Sequence, residues 1–94
     1  MKVWIAAALA AATLVVVAPQ ARADDNDYLE LLQGDQFYSR LGSSVLLAEG
    51  RKICNAIANG TSEDSAASMV ERDLSVSPFA AGEIVGAATD GLGC

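Results

Sequence analysis

Histidine is missing from all 94 residues of this chain, and that single absence removes a large part of enzyme chemistry. Without imidazole there is no Ser-His-Asp or Cys-His nucleophilic arrangement and no histidine-based zinc or haem ligation. Cysteine is almost as scarce. Cys54 and Cys94 are a lone, widely separated pair that cannot complete a tetrahedral zinc shell without recruiting carboxylates. No glycine-rich phosphate loop is present. Acid pairs such as Glu63 with Asp64 exist, but two carboxylates become catalytic only where a cleft drives their pKa values apart, and so small a unit offers little cleft. The expectation is a protein that is not an enzyme and carries no cofactor.

Basic residues are the second scarcity. Six Lys and Arg stand against twelve Asp and Glu, a net charge of −6. Lys2 and Arg22 fall in the first 23 residues, so Arg40, Arg51, Lys52 and Arg72 face all twelve acids in the remainder, a net charge of about −8 there. Nucleic acid and anionic membrane surfaces both recruit basic patches and are not the expected partners.

Long apolar runs are also absent, with one exception at the N-terminus. Met1-Lys2 forms a short positive start, Val3 to Ala18 is apolar apart from Thr13, and Ala21-Arg22-Ala23 supplies the small-x-small pattern read by signal peptidase. The run is shorter than the roughly 20 residues that span a bilayer and ends at Pro19 with acid beyond. A secretory signal peptide over residues 1–23, cleaved after Ala23, is expected, with no stable membrane span after its removal. No cysteine follows the run closely enough for lipidation and no arginine pair precedes it, which points to general secretion into the envelope or medium.

Export gives the two cysteines their meaning, because the destination is oxidising and a domain of residues 24–94 is too small to rely on its core alone. Cys54 and Cys94 allow one intramolecular disulfide. Closing that loop contributes about 4 kcal/mol in the chain-entropy model, as much as the net stability of many small domains.

The rest of the chain reads as helices. Asp24-Asp25-Asn26-Asp27 places caps and negative charge before a short helix in which Tyr28, Leu31 and Leu32 share a face, ended by Gly34. Asp25 and Asp27 have the spacing of a calcium loop, but Glu30 stands where such a loop needs glycine. Asp35 to Gly42 reads as a connector carrying Phe37 and Tyr38, either a ligand platform or a loop packed over the core. A central helix from Ser43 or Ser44, either of which can cap it, to Asn59 has Leu46, Gly50, Ile53, Cys54 and Ile57 at helical spacing, and Gly50 implies close approach by a neighbour. Asn59-Gly60 is a helix stop, and Asn59-Gly60-Thr61, though it matches a glycosylation acceptor, reads as a turn.

A third helix starts with Thr61 as cap and buries Ala66, Ala67, Met69, Val70 and Leu74, with Glu63, Asp64, Glu71, Arg72 and Asp73 as its solvated face. Ser77 caps and Pro78 opens a last helix to about Asp90, burying Ala80 or Ala81, Ile84, Val85, Ala87 and Ala88. Its Gly82-x-x-x-Gly86 reads as a smooth surface for close helix packing. Gly91-Leu92-Gly93 ends the helix and delivers Cys94 to the central one. The fold class expected is all-α: a compact bundle of about four short helices stapled by one disulfide.

Three stretches together resemble a known family: the acidic start with Asp27-Tyr28-Leu29-x-x-Leu32, then Gly50-x-x-x-Cys54-x-x-Ile57-x-x-Gly60, then a serine-rich break before an alanine-rich helix and a terminal cysteine. The chain resembles the small exported actinobacterial, chiefly mycobacterial, proteins grouped as domain-of-unknown-function family 732, over essentially all of residues 24–94. Members typically carry an aromatic residue or leucine before the last cysteine, where this chain has Gly93. The resemblance implies a compact helical fold with one disulfide, export, and no established biochemical activity. Two functions are therefore expected: an interaction module that presents Phe37, Tyr38 or Phe79 to a protein or envelope component, or a carrier of a small apolar ligand held beside Phe37 and Phe79.

Overall fold

The computed structural model describes residues 24–94; the segment expected as a signal peptide, with Ala21 and Ala23, lies outside the described residues. Among those described, five α-helices and a closing π-helical turn account for most of the residues, and no strand occurs. We number them α1 (24–32), α2 (Gln36–Leu41), α3 (Ser43–Ala58), α4 (Glu63–Leu74) and α5 (Pro78–Ala87), with the π turn at Ala88–Leu92.

Helix α1 starts earlier than expected, for residues 24–27 are themselves helical, and their negative charge occupies a helical turn instead of preceding one. Asp25 pairs with Arg51 of α3 at 2.8 Å. Tyr28 and Leu32 are fully buried, but Leu31 is 56% exposed, so the face α1 turns inward is narrower than the sequence spacing suggested.

The connector is a helix. Residues Gln36–Leu41 form α2, anchored by the buried Phe37 and ended where the Gly42 amide donates to Tyr38 at 2.8 Å. A single short turn-and-a-half has no propensity signal of its own; packing of Phe37 on the core stabilises it. With α2 the described residues form five short helices, in the compact all-α bundle that was expected.

Helix α3 is the centre of the molecule. Its N-cap is Gly42 at φ 87°, not Ser43 or Ser44, and no side chain caps it. Leu46, Gly50 and Ile53 are buried along one stripe, with Leu47, Cys54 and Ile57 flanking it. At its far end Gly60 (φ 96°) donates to Ile57 and Thr61 donates to Ala56, each at 3.0 Å. That pair of bonds is a Schellman stop, so Asn59-Gly60-Thr61 is a structural turn.

Thr61 is spent in that stop, and the cap of α4 is Ser62, whose hydroxyl accepts from the Ser65 amide at 3.2 Å. Ala66 and Val70 bury the inner face of α4. Ser75 breaks the helix in the left-handed region at φ 54°. Ser77 then caps α5 as expected, accepting from the Ala80 amide at 3.2 Å, with Pro78 in the first turn. Helices α4 and α5 pack extensively on one another, and Ala81, Ile84, Val85, Ala87 and Ala88 close the core.

Two glycines set the closest approaches. A Cβ on Gly50 would lie 2.8 Å from the Tyr28 ring and 2.9 Å from Leu92, and one on Gly91 would lie 2.5 Å from the Tyr28 Cα. Gly50 thus answers to the neighbour its position implied, while Gly91 is a contact residue inside the π turn; the chain actually turns out of the helix at Gly93, φ 79°. Beyond it Cys94 is bonded to Cys54 of α3, with their Cα atoms 5.2 Å apart.

Candidate functional site

Of the three aromatic residues singled out from sequence, the fold treats each differently. Phe37 is 9% exposed and belongs to the core, with only an edge reaching solvent, and Tyr38 is half-buried against the same core. Phe79 is 77% exposed. The Ser77 cap and Pro78 begin α5 just before it, and the first turn carries its ring outward. Phe37 and Phe79 meet at one cleft of about 260 Å³, which also holds Asp35 and Glu83. On the other side of Phe37, a cleft of about 430 Å³ opens between α2 and the Ser75–Ser77 link, bordered by Arg40 and Val76. Tyr38 borders neither.

A second group was not visible as a site in the sequence. Glu49 lies on the inner stripe of α3, three residues after Leu46 and four before Ile53, and is 6% exposed. Its Oε2 has no hydrogen-bond partner. Beside it Asp73 of α4 accepts from the Lys52 ammonium at 2.7 Å. Asp73 is thus part of an inter-helix contact and not only of a solvated face. The signal that could have located Glu49 was its register: an acid at the spacing of Leu46, Gly50 and Ile53 has to point inward.

Burial is the main reason the Glu49 carboxyl is pushed up to about 7, helped by the neighbouring Asp73 carboxylate, with Lys52 opposing. Lys52 holds the Asp73 carboxyl below the ordinary carboxylate range, with Glu49 next in effect, and Asp73 in turn raises Lys52. Of the two carboxyls, Glu49 is therefore the one that takes up a proton first as pH falls. The Tyr28 hydroxyl donates to the Leu46 carbonyl inside the core, and burial first, then the nearby Glu49, raises its pKa.

The chemistry open to this arrangement is limited. The clefts around Phe37, Leu31 and Arg51 are not lined by Glu49, Asp73 or Lys52. Among the described residues no three His, Cys, Asp or Glu side chains are grouped to hold a metal ion, and both cysteines are consumed in the disulfide. No described helix is long and apolar enough to cross a membrane.

The family model described as "Protein of unknown function (DUF732)" matches residues 23–94. No curated protein and no solved structure matches the chain.

Proposed function

The chain belongs to the DUF732 family, and from that premise we propose that it is a non-catalytic interaction module, exported to the cell envelope or medium, that binds a protein or envelope component through the corner where α2 meets α5. The observation that carries this reading is Phe79. A single exposed apolar side chain is ordinary, but this one is 77% exposed on the rim of the cleft it shares with Phe37. Large aromatics beside pockets are the usual anchors of protein interfaces. Export is supported by the N-terminal apolar run with Ala21 and Ala23, and by a disulfide in a small domain, a pairing that oxidising compartments favour.

The test is photo-crosslinking in the organism that makes the protein, with a benzophenone side chain at position 79 and, as control, at the exposed Ser68 of α4. A discrete adduct at 79 and none at 68 is expected. Identical patterns at both positions, or none at either, would sink the reading.

A carrier of a small apolar ligand is the second reading, favoured by the 430 Å³ cleft, whose size lies in the range of ligand pockets and whose wall includes Phe37, Val76 and Ala80. A non-covalent lipid-like mass retained in native mass spectrometry of protein from its own source would support it, and bare protein would count against it.

A further inference from the structure

Helix α5 is apolar nearly all round: within Pro78–Ala87 the only charged residue is Glu83. Such helices are normally covered on every side. Here one side packs on the core through Ala81, Ile84 and Val85, while Phe79 and Gly82 on the other are exposed. Gly82 and Gly86 sharpen the point. Glycine inside a helix costs about 1 kcal/mol relative to alanine and is usually kept where a neighbour needs the room. A Cβ on either would meet nothing within 4 Å among the described residues, so the fold itself makes no use of the room.

The space beside Gly86 is a groove. Phe79, Glu83, Gly86 and Asp90 recur at helical spacing along α5 and the π turn, and Leu31 of α1, 56% exposed, forms the opposite wall. Three clefts run along it without a break: the one at Phe79 shares Glu83 with a second of about 230 Å³, which shares Leu31 and Asp90 with a third of about 420 Å³. Asp27, Glu30, Asp35, Glu83 and Asp90 line these clefts, and no lysine or arginine does. The two ion pairs among the described residues use other acids, Asp25 and Asp73.

We propose that this groove along α5 is the docking site for a basic amphipathic helix of a partner protein, whose apolar face lies on Phe79, Leu31 and the glycine floor and whose lysines or arginines meet the five carboxylates. The inference rests on the interaction-module reading and adds the class of partner. A helix fits because a glycine floor allows close backbone approach and the described residues offer no sheet edge for strand addition. The charge selects a basic partner: anionic membranes and a second copy of this acidic chain would both be repelled.

The test is fluorescence titration of the intact protein with a synthetic amphipathic helix built of leucine and lysine. A leucine–glutamate twin and an oligolysine of equal charge serve as controls. Saturable binding of the leucine–lysine helix is expected, weakening as salt rises. Gly86→Leu, which fills the groove, Phe79→Ser, and the double reversal Glu83→Lys with Asp90→Lys should each weaken it about tenfold or more. Unchanged melting temperatures establish that the variants are folded, and any one folded variant suffices. Binding equal to that of oligolysine, binding untouched in the folded variants, or no saturable binding would each overturn the proposal. So would groove-dependent dimerisation. A partner crosslinked at position 79 through an acidic or neutral segment would overturn this inference and leave the interaction module standing; absence of any adduct would remove the module itself.

Discussion

At the scale of single residues, the Tyr28 ring is the piece around which the core closes, and the two glycines that face it are not equivalent. At Gly50 an added methyl would press on the ring tip at 2.8 Å and on Leu92 at 2.9 Å, contacts with side-chain ends of which the half-buried Leu92 yields more readily than the hydrogen-bonded ring, and it would recover helix propensity. At Gly91 it would press on the Tyr28 backbone at 2.5 Å, which cannot yield without moving α1. Gly91→Ala should therefore cost about 2–3 kcal/mol in urea unfolding and Gly50→Ala clearly less, and equal losses would contradict the packing described. Glu49 is the other residue with a measurable signature. Its carboxyl is raised from 4.5 to about 7 in the fold, so the native state holds the proton more tightly than the unfolded chain. The stability it contributes is complete below about pH 4.5 and is lost as pH rises through about 7; Asp73, held low, acts in the opposite sense at more acid pH. Glu49→Gln should flatten the dependence between pH 5 and 8 and make the protein about 1–2 kcal/mol more stable than wild type at pH 8, a figure reduced for the solvent at the Asp73 end. Parallel urea curves for the two proteins across that range would refute the assignment.

At the scale of elements, capping separates the helices that sequence can place from those it cannot. Ser77 with Pro78 is a complete start signal, and α5 begins there. The start of α3 has two serines that look like caps, yet the helix begins after Gly42, because the Gly42 amide is already ending α2 and the two helices share one residue as stop and start. Six residues of α2 hold no helical period, and only the burial of Phe37 reveals them. On α5 the outer glycines carry a helix-propensity cost with no compensating contact among the described residues. Gly82→Ala should raise stability by about 0.5–1 kcal/mol, read as a higher midpoint in thermal or urea melting, and a loss would mean that the position is packed from within.

At the scale of the whole molecule, the disulfide joins the middle of the central helix to the last residue, so it encloses α4, α5 and the π turn in one loop. Reduction, or Cys54→Ser, should cost roughly 2–5 kcal/mol and bring the domain close to unfolding at ambient temperature. Thermal melts with and without reductant are the check, and coincident curves would show that the helices hold together unaided. The surface ion pairs are no substitute, since Arg51–Asp25 and Lys52–Asp73 are open to water and screened by salt.

Composition and local pattern alone determined the all-helical class, the stripe of α3, the stop at Asn59-Gly60, the start at Ser77-Pro78 and the partnership of Cys54 with Cys94, because each depends on residues within a few turns or on the only pairing two cysteines allow. Tertiary structure decided which members of a stripe are covered. Leu31 and Phe79 were apolar in either case, but only the placement of α1 beside α5 left them exposed along one groove. Glu49 and Asp73 lie on different helices, and no local signal couples residues 24 positions apart in the chain; the contact of α3 with α4 does. The glycines of α5 looked alike to those of α3 and the π turn until the packing showed which were filled by a neighbour and which still face open space.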